Sequence, residues 1–369
     1  MACEMPSGGG IHRISSLRGV VGALMTIFSR YIGIDYSGAE TAESSLKGLR
    51  VYEADGVGEP TEVLPPPSTR KYWTRRGIAE WVVEQLSAGD PVLVGIDHGF
   101  SFPLRYFEVH GIEPDWSVFL QDFQDHWPTD SPHTYVDFIR FGDVGNGPAR
   151  EGNPRWRRLT EERAPGAKSV FHFDVQGSVA KSTHAGIPWL RFIRREIGDR
   201  VHFWPFEGWE IPAGKSALCE VYPRLWSGEF PRDDQNGDQH DAFSIAAWLS
   251  RADASGTLET VLQPRLSPTE AAIVQVEGWI IGVQGEGFAP KPRRPSRSGT
   301  PFRGTTRVGT INRNDQEVLK KTDLPGNDHN QVVYVLLCRR CGHRYGANGS
   351  DLWQRRCPEC GGGAAGLAF

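Results

Sequence analysis

The chain is predicted to be α/β: a mixed sheet with flanking helices, followed by a small C-terminal module built on cysteines. Three observations predict it. The tripeptide Gly-Ile-Asp closes two short apolar runs, Tyr31-Ile32-Gly33-Ile34-Asp35 and Val92-Leu93-Val94-Gly95-Ile96-Asp97, which read as buried strands with a carboxylate at the tip. Helical apolar spacing alternates with such strands along the first three quarters of the chain. Two Cys-x-x-Cys pairs then stand close together near the C-terminus.

After the first strand, a turn at Ser37-Gly38 is expected to lead into a second strand over Lys47 to Tyr52. Pro65-Pro66-Pro67 breaks the chain, and Ile78, Trp81, Val82 and Leu86 recur at helical spacing between Thr74 and Ala88. Gly89-Asp90-Pro91 stops that helix before the second Gly-Ile-Asp strand. From Ser101 to Lys168 no period is sustained, although Asp115 to Phe123 fits a helix. Arg155-Trp156-Arg157-Arg158 reads as a basic loop interleaved with an aromatic, either ordinary surface or a place where bases stack and phosphates are contacted. Trp189, Phe192 and Ile193 mark a helix after Ile187-Pro188, and Val201 to Phe206 reads as a strand.

Ala217-Leu218-Cys219-Glu220-Val221-Tyr222-Pro223 is a further strand whose Glu220 needs a partner if buried. An acidic stretch from Asp233 to Asp238 leads into a helix with Phe243, Ala246 and Ala247 on its apolar face. Asp238 is the expected N-cap, and Asp241 falls in the first turn, where a carboxylate suits the helix dipole. Ser267-Pro268-Thr269-Glu270 is a capping box opening a helix through Ile273, Val276 and Ile280, expected as the last element of the main domain.

Taken singly, Asp35 and Asp97 cap turns, Asp241 compensates a dipole, and Asp233 and Asp234 are solvated. Taken together, carboxylates at neighbouring strand tips repel unless a positive charge stands between them, and a divalent metal does that best. Net charge is −4, so no broad field advertises a nucleic-acid partner and local charge must be read instead. Pro290 to Arg307 holds Lys291, Arg293, Arg294, Arg297, Arg303 and Arg307 and no acid, the mark of a basic linker. No apolar run is long enough to span a membrane. Ile11 to Arg30 mixes arginines with a short apolar patch without a cleavage site, and reads as a dispensable extension.

Cys338-Arg339-Arg340-Cys341 and Cys357-Pro358-Glu359-Cys360 are the most specific motif. Two residues between thiolates let one turn present both sulfurs to a tetrahedral Zn, and the second pair closes the site. Val332 to Leu337 is a strand feeding the first knuckle, as in a zinc ribbon. A redox pair of motifs is the competing reading. Four cysteine ligands leave no open position, so the Zn is structural. Arg339, Arg340, His343, Arg344, Arg355 and Arg356 crowd this segment and make it, with the linker, a candidate contact for nucleic acid or a protein partner. Cys3 and Cys219 remain as unpaired thiols, which suits a reducing cytoplasm.

On Gly33-Ile34-Asp35, Gly95-Ile96-Asp97, Glu220-Val221-Tyr222-Pro223 and His240-Asp241-Ala242 the chain resembles the ribonuclease-H-like families, in particular a group of predicted nucleases distantly related to RuvC-type junction resolvases. Supporting segments are Asp97 to Pro103, Trp204-Pro205-Phe206 and Glu277 to Ile280. The resemblance covers roughly 31–285. It implies an acid on the first strand, Asp35, an acid on the fourth, Asp97, and an acid at a late helix start, Asp241, with Glu220 joining from the adjacent strand. A typical resolvase site has Glu where Asp97 stands.

The expected organisation is a disordered extension over 1–30, a ribonuclease-H-like domain over 31–285, a basic linker over 286–306 and a zinc ribbon over 307–369. The expected activity is Mg- or Mn-dependent hydrolysis of DNA or RNA, with His240 assisting as acid or base. Gly33 to Gly38 also resembles the first phosphate loop of actin-like and sugar-kinase phosphotransferases, though no second Gly-rich phosphate loop follows. A catalytically inactive nucleic-acid-binding scaffold is the third reading.

Overall fold

A computed structural model describes residues 26–175, 177–285, 306–327 and 331–369. The expectations for 1–25 and for nearly all of the basic linker lie outside the described residues. The chain forms two compact units, Met1–Phe288 and Ala289–Phe369.

In the first unit, β1 (Arg30–Asp35) pairs antiparallel with β2 (Arg50–Ala54), and β2 with the short β3 (Thr61–Glu62). The second strand thus begins three residues later than the expected Lys47. Its connection to β1 is no tight turn: the buried Arg75 guanidinium donates to the carbonyls of Ser37, Ala39 and Glu40 at 3.2, 2.6 and 3.0 Å and so holds a long loop against the start of α1 (Arg75–Leu86). Thr74 caps that helix, its Oγ1 accepting from the Gly77 amide at 2.9 Å.

β4 (Val92–Asp97) follows, parallel to β1. Four short helices then occupy the stretch in which no period is sustained: α2 (Leu104–His110), α3 (Trp116–His126), α4 (Val136–Arg140) and α5 (Leu159–Arg163). Only α3 is long enough to show a pattern, and Asp115 caps it, its Oδ1 accepting from the Ser117 and Val118 amides.

The next helix, α6 (Ala180–Ile197), begins eight residues before Pro188 rather than after it. A proline inside a helix orphans the carbonyl four residues back. Here that carbonyl, on His184, accepts from the Thr129 hydroxyl at 2.7 Å, so the helix continues through.

β5 (Val201–Phe203) stops short of the expected Phe206, because Pro205 has no amide to donate and Trp204 makes the last ladder bond, to Leu218. β6 (Ser216–Glu220), α7 (Gly237–Ala254), α8 (Thr257–Leu262) and α9 (Pro268–Glu277) complete the unit. Asn236, not Asp238, caps α7, in a reciprocal box with Gln239. The Ser267–Glu270 box opens α9 as predicted, but the helix ends at Gly278, and Ile280 instead bridges to Glu220 at the sheet.

The sheet is six-stranded and mixed, in the order β3-β2-β1-β4-β6-β5. Strand alternation divides its two faces. Ile32, Ile34, Val94, Ile96 and Leu218 face one core with residues of α1, α3 and α6, while Tyr31, Leu93, Ala217 and Cys219 face another with residues of α7. The packed chain starts before Tyr31. Phe28 is buried, and the Asp253 carboxylate takes the amides of Ile27 and Phe28 and the Tyr31 hydroxyl at 2.7–3.0 Å. The boundary expected at residue 31 therefore cuts through a satisfied hydrogen-bond cluster.

The second unit is a three-stranded antiparallel sheet, β7 (Gln316–Pro325), β8 (Val332–Cys338) and β9 (Arg344–Asn348), with a small core of Val318, Tyr334, Leu336, Tyr345 and Leu352. No helix among the described residues is long and apolar enough to cross a membrane.

Candidate carboxylate centre and cysteine cluster

The glycines of the two Gly-Ile-Asp repeats decide where the acids meet. Gly33 and Gly95 are neighbours in the β1–β4 register, and Asp35 and Asp97 are the next pair along the same face. A Cβ on Gly33 would stand 2.3 Å from the Ala242 carbonyl oxygen and 2.7 Å from the Ala246 nitrogen, and one on Gly95 would stand 2.9 Å from Ile245 Cγ2. α7 therefore lies directly on the strand backbones, which only glycine allows. Asp241, immediately before Ala242, is carried down to the ends of both strands by that contact.

Asp35, Asp97 and Asp241 are each half-buried. Burial first, then the fields of Asp97, Asp241 and Asp238, push the Asp35 carboxyl well above its ordinary range. Burial, Asp241 and Glu220 do the same to Asp97. Asp241 is raised by burial and by Asp238, and tempered by His240 and Arg232. The charged side chains that raise the Asp35 and Asp97 carboxyls are thus themselves acids. Arg50, opposite Asp35 across the β1–β2 pair, turns instead to Glu62 at 2.9 Å. The three carboxylates feel one another but are not drawn as tightly as a ligand shell: the group of metal-ligating atoms that lies within 4.8 Å of one another, among the described residues, is the four cysteines.

Glu220 has another partner. Both its oxygens accept from Arg158 at 2.6 Å, and one also accepts from the Phe100 amide at 3.1 Å. Arg158 is completed by Glu161 at 2.9 Å. The residue read as part of a basic surface loop is 1 % exposed and sits at the centre of a buried ion triad. Trp156 packs against the core, so of that loop Arg155 and Arg157 remain at the surface. The signal for Arg158 is Glu220 itself, since an acid inside an apolar strand demands a cation, but spacing alone does not say which.

Asp97, Arg158, Lys168, Glu220 and Tyr222 line a cavity of about 30 Å³, room for a water and not for a nucleotide. His98 follows Asp97 but is no candidate base. It lies buried against Tyr36 and Phe100, its Nδ1 bonds the Gly99 carbonyl at 2.9 Å, and burial drops its pKa to about 4. His240, beside Asp241, places Nε2 3.3 Å from the Phe230 carbonyl.

In the second unit the four cysteine sulfurs converge. Cys338 and Cys360 are 3.5 Å apart, Cys341 and Cys357 3.6 Å, far beyond a disulfide bond and close to the edge of a tetrahedron of sulfurs around a metal such as zinc. Cys338 and Cys357 are buried and Cys341 and Cys360 exposed, an edge-of-domain cap on the three strands. Comparison of the chain with protein-family models, with curated proteins and with solved structures finds no match in any of the three.

Proposed function

We propose that the protein is a divalent-metal-dependent hydrolase of nucleic-acid phosphodiesters, with Asp35, Asp97 and Asp241 as the metal-holding acids. The observation that carries the reading is the in-register placement of Asp35 and Asp97 at the tips of adjacent parallel strands beneath the first turns of α7. Half-buried acids whose charges raise one another's pKa are a site waiting for positive charge.

A six-stranded mixed sheet with acids on its first strand, its fourth strand and a late helix is the distribution that the ribonuclease-H-like resemblance implies. Magnesium or manganese, when bound, would polarise a phosphate oxygen and lower the pKa of an attacking water. The chain's own residues supply the rest: Asp35 and Asp97 are fixed by the sheet, Asp241 is brought in by α7, and His240 tempers Asp241 from one residue away. Glu220 stands behind Asp97, paired to Arg158, and raises its pKa without a free carboxylate of its own. In the second unit, Cys338, Cys341, Cys357 and Cys360 would hold a structural zinc.

The test is a panel of single-stranded, duplex and branched DNA and RNA incubated with and without magnesium or manganese. Metal-dependent cleavage that Asp35→Asn abolishes supports the reading. ATP hydrolysis without cleavage favours a phosphotransferase, and neither activity favours a binding scaffold.

A further inference from the structure

The second unit carries a surface that the carboxylate centre does not use. Residues 289–369 hold fourteen Lys and Arg against six Asp and Glu, a net charge of +8, so residues 1–288 carry −12 of the total −4. On this basic unit Trp353 is 46 % exposed, although a large indole is normally buried.

The indole is presented on a rigid turn. Leu352, the residue before Trp353, is buried in the unit's core. Asn312 donates to the carbonyls of Leu352 and Arg355 at 2.7 and 2.8 Å, and Asn314 to those of Gln354 and Arg355 at 3.0 and 3.3 Å. Four bonds from two asparagines fix the backbone that carries Trp353. Arg313 lies between those asparagines, Arg356 follows the turn, and both are exposed. Neither has an ion-pair partner among the described residues, unlike Arg340, which is held by Asp315 at 2.8 Å.

We infer that Trp353, flanked by Arg313 and Arg356, is a stacking platform for single-stranded nucleic acid. An exposed aromatic face on a fixed turn, with arginines that lack an ion-pair partner among the described residues on the turn and on the segment bonded to it, suits unpaired bases and their phosphates, because stacking needs a base that has left its duplex and the arginines need only the backbone. The class of ligand rests on the nucleic-acid reading above, but the site is separate from the carboxylates and is tested without cleavage.

The experiment uses the full zinc-loaded chain carrying Asp35→Asn, without magnesium or manganese, and reads anisotropy of a short labelled oligothymidylate across a salt series. Trp353→Ala should weaken binding roughly tenfold with the salt slope unchanged. Trp353→Phe should keep most of the affinity. Arg356→Ala should lower the slope by about one. Equal loss in the Ala and Phe variants, unchanged binding in Trp353→Ala, tighter binding of duplex than of single strand, or a change of oligomeric state on removing Trp353 would each overturn the inference. Loss of cleavage by the wild-type chain would instead sink the hydrolase reading and leave this one standing.

Discussion

Gly33 and Gly95 stand side by side on the parallel pair β1 and β4, and α7 rests on both. The repeat Gly-Ile-Asp thus encodes two things at once: a floor flat enough for a helix to touch and, two residues on, the acids that the helix start meets. Ile34 and Ile96, between them, point to the opposite core, so each three-residue unit serves both faces of the sheet.

Gly33→Ala tests that floor. The new methyl meets backbone atoms of α7 at 2.3 and 2.7 Å, which cannot move without lifting the helix, so destabilisation of about 2–3 kcal/mol is expected. Gly95→Ala meets only the ends of Val221, Ile245 and Leu249 side chains and should cost less. Urea titrations of the two variants check the order, and an equal or reversed cost would show that α7 is not seated on Gly33.

Asp35→Asn should stabilise the metal-free protein at neutral pH. The folded pKa of Asp35 is raised, so the native state binds more protons than the unfolded chain, and stability falls as pH rises from about 4, the unfolded value. Above the raised pKa the charged carboxylate is a net cost that the amide removes. The melting temperature of the variant should exceed wild type by a few degrees near pH 7.5, and the gap should close towards pH 4. Magnesium should raise the wild type and not the variant. A gap that widens on acidification would refute the assignment.

How far the sequence revealed this centre depends on the distance between the parts. Asp35 and Asp97 were legible because each closes a strongly patterned strand, and Asp241 because it lies near the start of a patterned helix, although one turn further in than the expected first turn, which holds Asp238. The four cysteines were legible because their chemistry is carried by spacing alone. Arg158 was not, since a cation reaching Glu220 across 62 residues leaves no periodic trace, and a run of Arg and Trp looks like surface. The entry of α6 through Pro188 was hidden for the same reason: its rescue comes from Thr129, distant in sequence. The strand β7 was missed because Lys320, Lys321 and Asp323 face solvent and break the apolar run.

Arg158→Met should be among the most damaging single changes in the first unit. It leaves Glu161 and Glu220 buried without their shared cation, and breaking a buried pair in this way costs about 3–5 kcal/mol. Adding Glu220→Gln to Arg158→Met should recover part of that loss, because one uncompensated charge is gone. A double-mutant cycle by chemical denaturation checks it, and strictly additive losses would show that the two residues do not depend on each other.

Truncation distinguishes the packed entry segment from what precedes it. A chain beginning at Met25 keeps Ile27 and Phe28 and should match the full chain in stability. One beginning at Tyr31 loses the burial of Phe28 and leaves Asp253, 3 % exposed, with only the Tyr31 hydroxyl of the groups that now satisfy it. A loss of about 3–5 kcal/mol is expected for the phenyl ring alone, with the underbonded carboxylate adding to it. Equal melting temperatures for the two truncations would show that the segment contributes nothing.

Metal removal should act on the second unit alone. Its core is a handful of side chains, Val318, Tyr334, Leu336, Tyr345 and Leu352 among them, too few to hold a three-stranded sheet by burial, so a zinc held by the four thiolates would supply most of its folding free energy. A chelator, or Cys338→Ser, should therefore abolish amide protection over 316–348 while strands β1, β4 and β6 exchange as slowly as before. The converse tests the other centre. Chelation that also loosens β1 or α7 would mean that a metal already stabilises the carboxylates in the resting protein, and exchange at Ile34, Ile96 and Ala242 reads that directly. A second unit that stays protected after chelation would show that its strands hold without metal, and would overturn the zinc assignment.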